Sequence, residues 1–172
     1  MDGPLTLERV ASPIGILTLV TAGEFVRALS FPESAAQALE LLRRRSPGLL
    51  LQEPAQETLS CVRLRAYFKG ELDALDDLRV QADGTPFQQE VWAALREIAP
   101  GTTTTYGELA RRLGRPGASR AVGLANGENP IAIVVPCHRV VGAGGALTGY
   151  GGGLERKRWL LGHETVASFR LR

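Results

Sequence analysis

The run Thr85-Pro86-Phe87-Gln88 most constrains how this 172-residue chain folds. Thr offers a helix N-cap, Pro suits the first helical position because it lacks an N–H, and Gln three residues after the cap completes a capping box. This punctuation separates two stretches with different grammars. In the first, Ile14–Val20 is rich in β-branched residues, and Thr21-Ala22-Gly23-Glu24 reads as a turn. Phe25–Phe31 then alternates with the period of a half-buried strand. Residues 33–45 and Ala55–Tyr67 read as helices, and Asp73–Val80 as a last short strand. The expected organisation is a small α/β domain over residues 1–82 and a mostly helical domain over residues 85–172.

The helix after Thr85 places Phe87, Val91, Leu95 and Ile98 on one face and ends at Pro100-Gly101. Thr105-Tyr106-Gly107-Glu108 is a second capping box, opening a helix over Glu108–Leu113. A turn at Gly114-Arg115-Pro116-Gly117 leads to a helix over Ala118–Ala125. Helix, tight glycine-containing turn and helix make the helix-turn-helix outline, which also occurs in proteins that never touch nucleic acid. Charge divides along the same line. Residues 1–83 carry nine Lys/Arg and twelve Asp/Glu, net −3, and residues 84–172 carry eleven and six, net +5. A basic half points to an anionic partner, nucleic acid first. The second helix of the pair presents Ala118, Ser119, Ala121, Gly123 and Ala125, with Arg120 its one long cation. Major-groove readers need several long polar side chains. A smooth helix with one Arg suits the minor groove, where wedge insertion replaces base reading. Small residues equally allow close helix packing.

The segment Asn129–Val140 holds the chemistry. Ile131–Val135 is a continuous apolar run, expected as a buried strand or extended segment, and it delivers Pro136-Cys137-His138-Arg139. Cysteine beside histidine is a nucleophile-and-base pattern. Neighbouring side chains rarely bond directly, so a water relay between Cys137 and His138 is expected, with Glu164 a candidate to orient the imidazole. Two other readings stand beside this one. Cys137 could be an inert buried thiol. It could also bind metal, but Cys61, Cys137, His138 and His163 are not spaced like a zinc site, and no metal is expected. Cys61, inside a predicted helix, reads as a small buried apolar residue. Seven of the twelve residues 142–153 are Gly, with Tyr150 among them. This loop matches no phosphate-binding motif and lets backbone approach a planar ligand closely.

Composition excludes other classes. Hydrophobic residues are 44% and charged residues 22%, which argues against disorder. No apolar run approaches the roughly 20 residues of a membrane helix, and Met1-Asp2-Gly3-Pro4 does not read as a signal peptide. Two cysteines suit a reducing compartment, so a cytoplasmic location is expected.

Pro136-Cys137-His138-Arg139-Val140, preceded by Asn129-Pro130 and followed by Gly149-Tyr150-Gly151-Gly152-Gly153-Leu154, resembles the O6-alkylguanine-DNA alkyltransferase family. The resemblance runs through Thr85–Trp92, Thr105–Glu108, Ser119–Gly123 and Leu160-Leu161-Gly162-His163-Glu164. It is weaker over residues 1–84, at Ser12-Pro13-Ile14-Gly15 and Ala66-Tyr67-Phe68-Lys69-Gly70. It implies a ribonuclease-H-like N-terminal domain and a winged-helix-like C-terminal domain. It implies direct-reversal DNA repair: an alkyl group on guanine O6 moves irreversibly to Cys137, each molecule acting once. His138 takes the thiol proton through water, and Glu164 orients His138. Asn129 ties the DNA-binding helix to the acceptor segment. Tyr106 helps rotate the nucleotide out and assists guanine departure, and Arg120 fills its place in the stack. Ala118, Ser119 and Gly123 line the minor-groove face, and Val140, Tyr150 and Gly151 shape the base pocket. No cofactor is implied. The partner is double-stranded DNA containing O6-alkylguanine, and the chain is expected to be a monomer without DNA. A helix-turn-helix alkylation sensor and a cysteine hydrolase with a Cys137/His138/Glu164 triad are the alternatives.

Overall fold

Among the described residues ten glycines adopt positive φ, and two of them set the first hairpins: Gly15 (φ 116°) and Gly23 (φ 57°). The Ser12 hydroxyl donates to the Gly15 carbonyl at 2.6 Å, closing the turn between β1 (Leu5–Ser12) and β2 (Gly15–Ala22). Gly23 turns the chain into β3 (Phe25–Ser30). The structure is a computed structural model that describes residues 4–45 and 50–170. Met1–Gly3, part of the N-terminal reading above, lie outside the described residues.

Two units separate, Met1–Ala82 and Asp83–Arg172. In the first, β1, β2 and β3 form an antiparallel meander with a bulge at Val20/Thr21. Strand β4 (Leu51–Gln52) joins β1 in parallel, and β5 (Arg79–Val80) joins β3 in parallel. The mixed sheet has the order β4-β1-β2-β3-β5. Leu39 and Leu42 of helix α1 (Ala35–Arg45) pack against Leu5, Val20 and Ala28. Helix α2 (Leu59–Phe68) follows.

The second unit is mostly helical. Helix α3 (Pro86–Arg96) precedes strand β6 (Thr104–Thr105), which runs into α4 (Tyr106–Arg112). Helix α5 (Ser119–Gly127), strand β7 (Val140–Val141) and α6 (Leu154–Arg170) complete it. Strands β6 and β7 pair in parallel. Both expected capping boxes form, at Thr85 with Gln88 and at Thr105 with Glu108. Val91 and Leu95 of the expected apolar face are buried, as is Ile98 just beyond the helix. Among the described residues no helix is long and apolar enough to cross a membrane.

Several elements differ from the sequence reading. Strand β1 was not anticipated, because Glu8 and Arg9 interrupt its apolar alternation. Helix α2 begins at Leu59 rather than Ala55, since Thr58 caps it by accepting from the Cys61 N–H. Glu8 of β1 holds that cap, accepting from both the Thr58 N–H and its hydroxyl. Asp73–Val80 is not one strand: Leu72–Leu75 is a 3-10 turn, and only Arg79–Val80 pairs. Leu154–Leu161, which reads in the sequence as a helix carrying Arg156, Lys157 and Arg158, is only the start of α6, which runs on to Arg170.

Cys61 is buried, and its thiol donates to the Glu57 carboxylate at 3.1 Å. Burial, then the hydrogen bond and charge of Glu57 with the charge of Glu8, push its pKa up to about 12. In the folded protein at pH 8 Cys61 should therefore resist iodoacetamide. Peptide mass analysis after labelling checks this, with labelling restored in urea.

Candidate active site

Ile131–Val135 is buried as expected but is neither strand nor extended. The Val134 N–H donates to the Ala132 carbonyl at 2.8 Å, and the residue between them, Ile133, sits at φ 71°. That is the γ-turn geometry, rare for a β-branched side chain and sustained only where the surroundings over-determine it. The Val135 N–H reaches back to Ile131 at 3.0 Å. The run is thus folded on itself, and it presents Cys137, His138 and Arg139 as a 3-10 turn, all three buried.

Glu164, on α6, organises this turn. It is fully buried and meets four donor groups. His138 Nε2 lies 2.8 Å from Oε1. Arg139 approaches with Nε at 3.0 Å from Oε2 and Nη2 at 2.9 Å from Oε1. The Gly101 N–H donates to Oε2 at 3.2 Å. Arg139 also donates to the Ile98 carbonyl at 2.5 Å. Gly101 has φ 76°, and a Cβ there would come within 2.6 Å of Ser168 Oγ, so the turn that delivers its N–H needs glycine.

Burial opposes the Glu164 charge, but the hydrogen bonds from His138 and Arg139, together with the Arg139 charge, outweigh it and hold the carboxyl below its usual range. Burial lowers the His138 pKa despite Glu164, so the resting imidazole is neutral. With Nε2–H given to Glu164, Nδ1 is the acceptor, and it has no partner among the described residues. Burial raises the Cys137 pKa, while the Asn129 side chain and the Lys157 charge act against the rise. Asn129 spans the segment: Nδ2 donates to the Val135 carbonyl at 2.8 Å, and Oδ1 accepts from the Ile131 N–H at 3.0 Å.

The chain is similar to several known proteins. The family model for the 6-O-methylguanine DNA methyltransferase DNA binding domain matches residues 86–166. A methylated-DNA–protein-cysteine methyltransferase of Shigella flexneri is 46% identical over 165 residues, covering 91% of this chain and 94% of the relative. The chain belongs to the methylated-DNA–protein-cysteine methyltransferase family. The crystal structure of the Mycobacterium tuberculosis O6-methylguanine methyltransferase matches with TM-score 0.80 at 44% identity, covering 95% of this chain and 94% of that one. A crystal structure of Mycobacterium tuberculosis OGT in complex with DNA matches with TM-score 0.79.

In this member of the family the helix-turn-helix comprises α4 and α5. Gly114 (φ 69°) ends α4, with the Arg115 N–H returning to the Ala110 carbonyl at 2.9 Å. Ser119 and Arg120 are exposed at the start of α5, and Ala118 is half-buried just before it. A Cβ on Gly123 would touch the Tyr106 ring at 3.7 Å, so the small residue lets that ring lie close. Tyr106 donates to the Thr148 carbonyl at 3.4 Å, and burial raises its phenol pKa. Val140 is buried and Tyr150 half-buried, while Gly151 is exposed with open space where a Cβ would stand. Glu128, at the end of α5, accepts from Gln88 Nε2 at 2.5 Å, which gives this acid a partner within the unit.

Sequence reasoning missed three residues. Arg139 read as part of a motif, yet it is the main counter-charge of Glu164. Lys157 read as one of three cations on α6. It is fully buried, donating to the Val140 carbonyl at 2.6 Å and the Thr148 carbonyl at 3.0 Å, so it ties the glycine-rich loop to β7. Asn126 belongs to no motif in the sequence, yet its Nδ2 donates to the Cys137 carbonyl at 3.4 Å. No signal in the sequence separates such buried polar groups from surface ones.

Arg139→Met should cost about 3–5 kcal/mol, because it leaves a buried carboxylate without its cation. Urea unfolding measures the loss. Adding Glu164→Gln to that variant should recover part of it.

Proposed function

We propose that this chain repairs DNA by direct reversal, with Cys137 taking the alkyl group from guanine O6 in a single turnover. The observation that carries this reading is the buried Cys137–His138–Glu164 arrangement, in which a neutral imidazole, its Nδ1 without a partner among the described residues, adjoins the only cysteine in the sequence of the second unit. Transfer from methylated DNA to a protein cysteine is the activity of the family, and the matched relatives align over nearly their full length.

The chemistry follows from the geometry. The thiol proton leaves through water to His138 Nδ1, and Glu164 stabilises the imidazolium that forms. A base is needed because burial raises the thiol pKa. The thiolate attacks the alkyl carbon, an S–C bond forms as the O6–C bond breaks, and the electron pair goes to the guanine. Guanine takes up one proton, a step assigned to the Tyr106 hydroxyl. The Lys157 charge favours the thiolate before attack. The thioether leaves no group to restore the thiol, so turnover stops there.

DNA is the partner, and base chemistry in a duplex requires the nucleotide to leave the stack. Arg120, exposed on a helix of small residues, is assigned the vacated place. Ala118, Ser119 and Gly123 are assigned the minor-groove face, and Val140, Tyr150 and Gly151 the base pocket. The antiparallel meander β1-β2-β3 with β4 added parallel to β1 supports the ribonuclease-H-like reading of the first unit, and the short β5 departs from it by pairing with β3 at the opposite edge. The paired helices with β6 and β7 support the winged-helix-like reading of the second. A monomer without DNA, acting in the cytoplasm, completes the proposal.

The decisive experiment mixes the protein with an oligonucleotide containing O6-methylguanine, digests it, and weighs the Cys137 peptide. One methyl group per molecule on Cys137 is expected, and none in Cys137→Ser. Repeated product release would indicate a hydrolase, and an unmodified cysteine a binding protein. Arg120→Ala should slow repair in duplex DNA far more than reaction with free O6-benzylguanine. Only the duplex demands the unstacking cost, on the order of a few kcal/mol. Single-turnover rates at saturating protein check this, and equal losses on both substrates would remove the wedge role.

A further inference from the structure

We propose that the side-chain oxygen of Asn126 holds the water that carries the Cys137 proton to His138, which makes Asn126 a positioning residue of the transfer. The proposal rests on the reading of Cys137 as alkyl acceptor. Asn126 lies on α5 and is 4% exposed. Its Nδ2 donates to the Cys137 carbonyl, which fixes the orientation of the amide: the opposite orientation would set two acceptors against each other. Oδ1 is then directed away from that carbonyl, buried, and without a hydrogen-bond partner among the described residues. His138 Nδ1 is in the same condition. These two acceptors flank one residue, Cys137: one belongs to the side chain bonded to its carbonyl, the other to the next residue along the chain.

A buried acceptor left without a donor costs about 1–3 kcal/mol. Buried water satisfies such groups, typically with about three hydrogen bonds. One water has two hydrogens for these two acceptors and a lone pair for the thiol S–H. In the relay the thiol proton passes to the water oxygen as a water proton passes to Nδ1. The water is restored, leaving thiolate and imidazolium, and no further reactant is consumed. Asn126 takes the second water hydrogen and so aims the first at Nδ1. Asn129 does not serve in this way, because its oxygen and nitrogen are engaged by the Ile131 N–H and the Val135 carbonyl. Asn126 stands six residues after Arg120 on the same helix, so the helix assigned to the DNA also anchors the relay.

The test measures single-turnover transfer from free O6-benzylguanine, which removes DNA binding from the result, and follows the mass of the Cys137 peptide. Asn126→Leu should slow transfer on the order of tenfold at pH 7. The loss should shrink as the pH is raised, because a growing fraction of the thiol then ionises without the relay. In a His138→Ala background the same substitution should change the rate less than about twofold, because the relay is already broken. An equal loss in both backgrounds, or a loss independent of pH, would overturn the proposal in favour of a packing role. Where Asn126→Leu does not fold, Asn126→Asp carries the comparison, since it keeps an oxygen for the water and gives up the donor to Cys137. A rate within about threefold of the parent supports the relay, and a loss on the order of tenfold with an unshifted pH profile overturns it. An unmodified Cys137 in the parent protein would instead refute the acceptor assignment itself.

Discussion

A carboxylate buried without water must find its donors in the protein, and Glu164 finds them on two other parts of the chain. Arg139 and His138 come from the acceptor turn, Gly101 from the turn after α3, and the carboxylate itself from α6. Each donor offsets part of the desolvation cost, and together they fix where the three parts meet. Arg139 extends the bracing to the Ile98 carbonyl at the end of α3. The acceptor cysteine is therefore placed by an ion cluster more than by regular secondary structure, which suits a segment whose backbone is a γ-turn followed by a 3-10 turn.

Two opposing demands meet at Cys137. A buried thiol is protected from adventitious oxidants and electrophiles, but burial also withholds the thiolate. The structure keeps the resting pair neutral, with the thiol pKa raised and the imidazole pKa lowered by the same desolvation. On the proposed mechanism, charge is created only when a proton crosses from one to the other. At that moment it meets fixed partners of the right sign, Lys157 for the thiolate and Glu164 for the imidazolium. Such prearranged electrostatics favour the charged, reactive state without reorganisation.

How much of this could be read in the sequence depended on range. The boxes at Thr85 and Thr105 obey rules spanning three residues, and both form. The apolar run before Cys137 declared its burial but not its shape, because the positive φ at Ile133 is imposed by its surroundings. Ala55-Gln56-Glu57 are good helix formers, so the sequence alone extends helix α2 backwards to Ala55. The cap that delays it depends on Glu8, fifty residues earlier. Lys157 and Arg139 were least legible. A cation on a helix or in a loop looks like a surface residue until the carbonyls and carboxylate that bury it are known, and those lie 9 to 41 residues away.

Helix α6 bears both Lys157 and Glu164, two turns apart on one rigid rod. A chain leaving the ribosome presents Cys137 well before either of them. Until α6 has been made and has docked, the thiol lacks its lysine and the imidazole its carboxylate, and the cysteine is chemically an ordinary one. A nucleophile that can be used once is in this way kept dull through synthesis, and it becomes reactive only in a molecule whose second unit is fully assembled.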